Sequence, residues 1–236
     1  VNDPSAASSV PGDAPVPTRQ GFDAPAMTPE EQQLTDRFAR MYYDQPVRTW
    51  QNTFWFGVRI VKNPLDMWIY QEILSETRPD VIVECGTAYG GSALYLANLC
   101  DLMGHGFVVT VDIVSLPRPQ HQRIAYLTGS TTDPDVFAKV VKVTSAAQKV
   151  MVILDSDHSA AHVLRELELY ADLVTPGCYL LVEDTSVNHP FDVPGHGPGP
   201  MEALEQWLPG ETRFTRDSSR EKFFFTFNPK GYLLRR

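Results

Sequence analysis

The sequence has no apolar run long enough to cross a bilayer, and its first residues, VNDPSAASSV, carry neither the basic cluster nor the apolar stretch of a secretory leader. Neither a membrane-embedded nor an exported protein is expected, and the cytoplasm is the expected location. Cysteine is scarce. Cys85, Cys100 and Cys178 are the only three, none in CxxC spacing, and their apolar or small neighbours mark them as buried free thiols rather than metal or redox groups. Positive charge is also short: 20 Lys and Arg stand against 29 Asp and Glu, a net charge of −9. Basic residues form no cluster, which argues against a nucleic-acid partner and favours a small-molecule substrate.

What is present describes one large α/β domain, with 43% hydrophobic and 21% charged residues. Residues 1–27 are rich in Pro, Ala, Ser and Gly without apolar periodicity, the composition of a flexible arm that orders only against a partner subunit. The arm and an aromatic segment at residues 48–57 point to self-association, so a homo-oligomer is expected. At Thr28-Pro29-Glu30-Glu31 an N-cap, a first-turn proline and a capping-box glutamate predict a helix to about Tyr43. A second helix is predicted over Pro64 to Glu76. Residues 28–79 thus form a helical cap on a domain spanning 28–236. The aromatics between the two helices either floor a ligand pocket or pack the helices onto a sheet.

From Asp80 onward strands and helices alternate. Strands are predicted at Val81–Glu84, Phe107–Ile113, Ile124–Thr128, Val150–Leu154 and Tyr179–Val182, and helices at about Gly91–Leu102, Pro134–Ala146 and Ala160–Leu173. Near-continuous apolar strands such as VMVIL are what a parallel sheet covered on both faces requires, so the expected fold is doubly wound and Rossmann-like. After the loop SVNHPFDVPGHGPGP and a short helix Met201–Leu208, strands at Thr212–Thr215 and Lys222–Phe227 are expected to close the sheet as an antiparallel hairpin.

In such a sheet ligands bind at the carboxyl ends of the strands. The segment VIVECGTAYGGS, residues 81–92, is a strand, a glycine turn and a helix start, a place where backbone approaches a ligand closely. Its glycines do not follow the GxGxxG spacing that seats a pyrophosphate. An acid, Glu84, stands two residues before Gly86 instead, which suits an amine-bearing ligand such as S-adenosylmethionine. Asp112, at the end of the next strand, takes the place of a ribose acceptor. Further acids end the later strands: Asp155 in Asp155-Ser156-Asp157-His158, and Glu183-Asp184. Carboxylates crowded above neighbouring strands repel one another unless a cation joins them, and an all-oxygen set suits Mg²⁺. Asp155, Glu183 and Asp184 are therefore the expected metal ligands. Asp157 serves equally well as a cap for the helix that follows.

The loop, read as ExGxxxGxS, resembles that of class I methyltransferases. Together VECGTAYGGSAL, ILDSDHSAAHV, YLLVEDT and NPKGYLLRR resemble the cephalosporin hydroxylase-like family of S-adenosylmethionine-dependent enzymes over roughly Phe54 to Arg236. That family includes metal-dependent O-methyltransferases acting on rhamnose and other sugars of natural products, as in antibiotic biosynthesis. The resemblance implies a Mg²⁺-dependent sugar O-methyltransferase. It implies a donor site with Glu84, Gly86, Thr87, Gly90 and Ser92 at the methionine end, Asp112 at the ribose, Ser130 at the adenine, and Asp155 facing both donor and metal. His158, in the D-x-x-H motif, is implied as the base, with His189 and His196 as further candidates on the late loop. A methoxylation-type or catechol-type reaction, or a binding role without turnover, remains open at this point.

Overall fold

The aliphatic runs of the second half pair side by side. A computed structural model describes residues 26–44, 46, 48–191 and 193–236; the arm expected over 1–27 lies outside these apart from its last two residues. Strands β3 (Val81–Cys85), β4 (Phe107–Asp112), β5 (Ile124–Thr128), β6 (Val150–Leu154) and β7 (Tyr179–Val182) are parallel, and β8 (Phe214–Arg216) and β9 (Tyr232–Arg235) join antiparallel. Across the sheet the order is β5-β4-β3-β6-β7-β9-β8, and a separate two-stranded ribbon pairs β1 (Phe54–Trp55) with β2 (Val58–Arg59). The direction of winding reverses between β3 and β6. A crevice therefore opens above their carboxyl ends.

Alternation along each strand divides the core in two. Ile82, Val108, Met151, Ile153 and Leu181 face helices α2 (Pro64–Thr77) and α3 (Gly91–Met103). Val83, Val109, Val152, Leu154 and Leu180 face α4 (Pro134–Thr144), α5 (Ala160–Tyr170) and α6 (Pro200–Trp207). Each such side chain contributes roughly 1.5–3 kcal/mol by leaving water. The helices begin where local chemistry starts them. Asn63 accepts from Leu65 N ahead of Pro64, and Asp133 accepts from Asp135 N and Val136 N ahead of Pro134. Helix α1 (Pro29–Asp44) opens on the expected capping box, with Glu31 accepting from Thr28 N at 2.8 Å.

The closing hairpin is present, but its second strand is not Lys222–Phe227. That run leaves the sheet: Phe224 has φ 64°, and Phe225 and Phe227 enter an aromatic cluster with Tyr42 and Tyr43 of α1, Trp50 and Phe191. Tyr232–Arg235 fills the slot beside β7, with Leu233 on one face of the sheet in one core and Tyr232 and Leu234 on the other face in the second. Helices α4 and α5 also end two to three residues earlier than expected.

Gly86 lies where the central strands come closest. Its φ is 97°, and a Cβ there would stand 1.8 Å from the carbonyl oxygen of Asp155. Gly86→Ala is expected to cost about 1–3 kcal/mol in overpacking, with the strain of its φ added. A thermal melt unchanged by this substitution would contradict the close approach.

Candidate active site

The loop after β3 is held from the neighbouring strand. Asp112 Oδ2 accepts from Thr87 N at 3.0 Å and Ala88 N at 2.7 Å, while Oδ1 accepts from Val114 N at 2.8 Å. Beneath the loop Glu84 is 1% exposed and accepts from Thr110 Oγ1 at 2.6 Å and from Ser92. The Thr110 proton is thereby used, so the Thr87 hydroxyl donates to Thr110, 2.6 Å away. Burial pushes the Glu84 carboxyl up to about 6, with Lys62 opposing the rise. Gly90, at φ 79°, turns the chain into α3. One cavity, of about 430 Å³, is lined by Gly86, Asp112, Ser130, Thr131, Asp155 and Ser156.

A second cavity of about 560 Å³ shares Gly86, Asp155 and Ser156 with the first, so the two meet above the switch point. Its polar wall carries Lys62, Asp155, His158, Glu183 and Asp184, and Tyr43, Trp50 and Phe227 face them. Lys62 is 5% exposed, and its Nζ donates to Asp155 Oδ2 and Glu183 Oε2. Tyr70 donates its hydroxyl to Glu183 Oε1 at 2.5 Å. His158 Nε2 stands 3.1 Å from Asp184 Oδ2. Burial raises Asp155 to about 6 and Glu183 to about 7, against the opposing pull of Lys62. Burial would raise Asp184, but the charge and hydrogen bond of His158, together with the charges of Lys62 and His196, hold it low. Burial would lower His158, yet Asp184 and Asp155 carry it up to about 9.

The structure thus gathers Gly86, Thr87, Ser92, Asp155, His158, Glu183 and Asp184 around one cavity, and Asp112 and Ser130 around the adjoining one. Glu84 and Gly90 line neither. Ligand atoms of Asp155, His158 and Asp184 lie within 4.8 Å of one another, so the histidine stands with two of the three expected metal acids while Glu183 faces Lys62 and Tyr70. His196 lines the larger cavity. His189 turns away to Glu202 at 2.8 Å, and Asp157 accepts from Ser159 N at 2.8 Å in the turn ahead of α5, whose N-cap is Ser159 rather than Asp157. The aromatic segment serves both of its expected uses: Trp50 walls the cavity, while Trp55 packs edge-on against Tyr95. Sequence reasoning missed Lys62 and Tyr70. The one local hint was the sequence Lys62-Asn63-Pro64, a charged residue immediately before a capped helix.

No helix among the described residues is long and apolar enough to cross a membrane. The family model for Rhamnosyl O-methyltransferase/CmcI matches residues 47–236. A rhamnosyl O-methyltransferase of Mycobacterium tuberculosis (strain ATCC 25618 / H37Rv) is 39% identical over 213 residues, covering 86% of this chain and 85% of its own. Its counterpart in Mycobacterium leprae (strain TN) is 38% identical over 86% of this chain and 91% of its own. Among solved structures, the CmcI-N160 apo-structure has a TM-score of 0.63 at 23% identity, covering 94% of this chain and 88% of that one. The cmcI-D160 Mg-SAM structure has a TM-score of 0.61 at 22% identity, covering 94% and 89%. The fold expected from the strand pattern is the fold of these structures. The motifs at the ends of β3, β6 and β7 pointed to the same group of S-adenosylmethionine-dependent enzymes, and by the extent of these matches the chain belongs to the Rhamnosyl O-methyltransferase/CmcI family.

Proposed function

We propose that this chain is a Mg²⁺-dependent enzyme that transfers the methyl group of S-adenosylmethionine to a hydroxyl of a rhamnose-like sugar on a glycosylated natural product. The observation that carries the reading is the meeting of two cavities at Gly86 and Asp155, one bounded by the glycine loop and the other by a cluster of carboxylates and a histidine. The rhamnosyl O-methyltransferases that are 38–39% identical to it over 213 aligned residues support the sugar acceptor.

The donor set fits a hard divalent ion. Three carboxylates, Asp155, Glu183 and Asp184, gather against the ammonium of Lys62 and the imidazole of His158, an oxygen-rich acidic set of the kind a hard divalent ion takes. Asp155 and Asp184, with Glu183 behind them, would hold it. When bound it would supply Lewis-acid stabilisation of an acceptor alkoxide. The chain's own residues do the rest. The loop around Gly86 and the carboxylate of Asp112 align the donor, Tyr43 and Trp50, stacked on each other, wall the acceptor side, and His158 takes the hydroxyl proton. At about 9 the imidazole is mostly protonated at neutral pH. Its use as a base requires the fields of Asp184 and Asp155 to be compensated, which a cation between them would do.

The test is methyl transfer from labelled S-adenosylmethionine to a rhamnosylated acceptor. Activity is expected to fall to background in EDTA, to return with Mg²⁺, and to be absent in Asp155→Ala. Transfer that survives both the chelator and the substitution would remove the metal from the reaction.

A further inference from the structure

The two polar side-chain atoms of Asn228 bond the backbone of one acid of the larger cavity and the hydroxyl that holds another, although the residue lies more than forty positions beyond them in the chain. It is 1% exposed. Its Oδ1 accepts from the backbone N–H of Asp184 at 3.0 Å, and its Nδ2 donates to the Tyr70 hydroxyl at 3.3 Å. That hydroxyl in turn donates to Glu183 Oε1 at 2.5 Å.

We propose that Asn228 is a positioning residue for divalent-cation coordination, fixing Asp184 through its backbone and Glu183 through Tyr70. The inference rests on the metal-dependent reading above and names the residues that make it work. The Asp184 backbone has φ 53°, in the left-handed region that a non-glycine residue adopts only when its surroundings hold it there. The bond from Asp184 N to Asn228 is such a hold, and it sets the direction in which the Asp184 carboxylate leaves the end of β7. On the other side, a tyrosine hydroxyl both accepts and donates. With Nδ2 of Asn228 occupying an acceptor position, the hydroxyl hydrogen is left to point at Glu183. A single amide therefore orients two neighbouring carboxylates, one by the main chain and one by a relay.

A role confined to folding the turn would use other atoms. The turn Asn228-Pro229-Lys230-Gly231 is closed by Gly231 N donating to the Asn228 carbonyl at 2.9 Å, and it docks on β7 through Val182 N donating to the Gly231 carbonyl at 2.9 Å. Gly231 is needed for that docking, since a Cβ there would stand 2.1 Å from the Val182 carbonyl oxygen. These are backbone bonds. The Asn228 side-chain amide is outside those bonds; it reaches the Asp184 N–H and Tyr70 as well as Tyr232, and residues that orient metal ligands in this way change metal affinity by about 10–100-fold when removed.

The experiment is calorimetric titration of MgCl₂ into the full chain, as wild type, Asp184→Asn, Tyr70→Phe, Asn228→Ala and the Tyr70→Phe/Asn228→Ala double variant. Wild type is expected to bind and Asp184→Asn to lose binding. Tyr70→Phe is expected to weaken the affinity about tenfold and Asn228→Ala by about 10–100-fold. The double variant should bind no more weakly than Asn228→Ala, since Tyr70 reaches its orientation through that residue. In turnover the defect should lie in the Mg²⁺ concentration for half-maximal rate, with kcat recovered at high Mg²⁺. Wild type that binds Mg²⁺ no better than Asp184→Asn would overturn the metal reading itself. Wild-type binding matched by Tyr70→Phe and Asn228→Ala, or fully additive losses in the double variant, would overturn the positioning role alone. Should Asn228→Ala not fold by circular dichroism, Tyr70→Phe, which keeps the ring, decides the relay by its own affinity.

Discussion

Lys62→Met is expected to destabilise the metal-free protein by about 3–5 kcal/mol, the cost of breaking a buried ion pair from one side. Methionine retains most of the length of the side chain, so the loss comes from the charge. The Lys62 ammonium is nearly without solvent contact and bonds two carboxylates at once. Burial disfavours its charge, yet Asp155 and Glu183 hold its pKa above the ordinary lysine range. Without it, Asp155 and Glu183 lose the cation they both bond, leaving Glu183 only the neutral hydroxyl of Tyr70, while Asp184 keeps His158. For a chain of this size the thermal midpoint in EDTA should fall by on the order of 10 °C. Added Mg²⁺ should recover much of that in the variant and less in the wild type, because it then supplies the missing charge. A variant that melts with the wild type in EDTA would mean the ammonium is not a structural counter-ion.

His158→Gln is expected to lower kcat by about 10²–10⁴-fold, the range for loss of a general base, with the KM of both substrates little changed. The pH dependence gives the sign independently. In the metal-free protein the His158 pKa is raised above its unfolded value, to about 9. The pairing with Asp184 therefore stabilises fully below about pH 6.5, and that contribution is lost as pH rises through about 9. Melting curves in EDTA should show that loss, and His158→Gln should flatten it. At saturating Mg²⁺ the rising limb of kcat/KM should fall below pH 9, because compensated carboxylates no longer hold the proton. A rising limb that persists unchanged in His158→Gln would assign the base elsewhere, with His196 the next residue lining the same cavity.

The parts of the site that were legible in the sequence are those that a parallel sheet places by rule. Gly86, Asp112, Asp155 and Glu183-Asp184 each sit at the carboxyl end of an apolar run, and the sheet brings those ends to one edge. Glu84 was legible as an acid but not as a buried one; it supports the loop from below through Thr110 and Ser92. Lys62 was not legible, and Asn228 was legible only as the start of the NPKGYLLRR motif, because both meet the acids only through tertiary structure: Lys62 is 93 positions from Asp155 and Asn228 is 44 from Asp184. Local patterns describe their turns and say nothing of what those turns face. The misplaced last strand has the same origin. Residues 222–227 have strong strand propensity, but the aromatic cluster under α1 captures them, and tertiary packing decides between the two uses.

The insertion of β9 between β7 and β8 has a consequence for how the enzyme is made. A ribosome delivers the glycine loop, the acids and the histidine well before residues 226–235. Until then β7 has an open edge and Asp184 lacks the amide that receives its N–H. The nascent chain thus carries every acid of the site before Asn228 is there to hold Asp184, so the proposed cation site would be completed only late in synthesis.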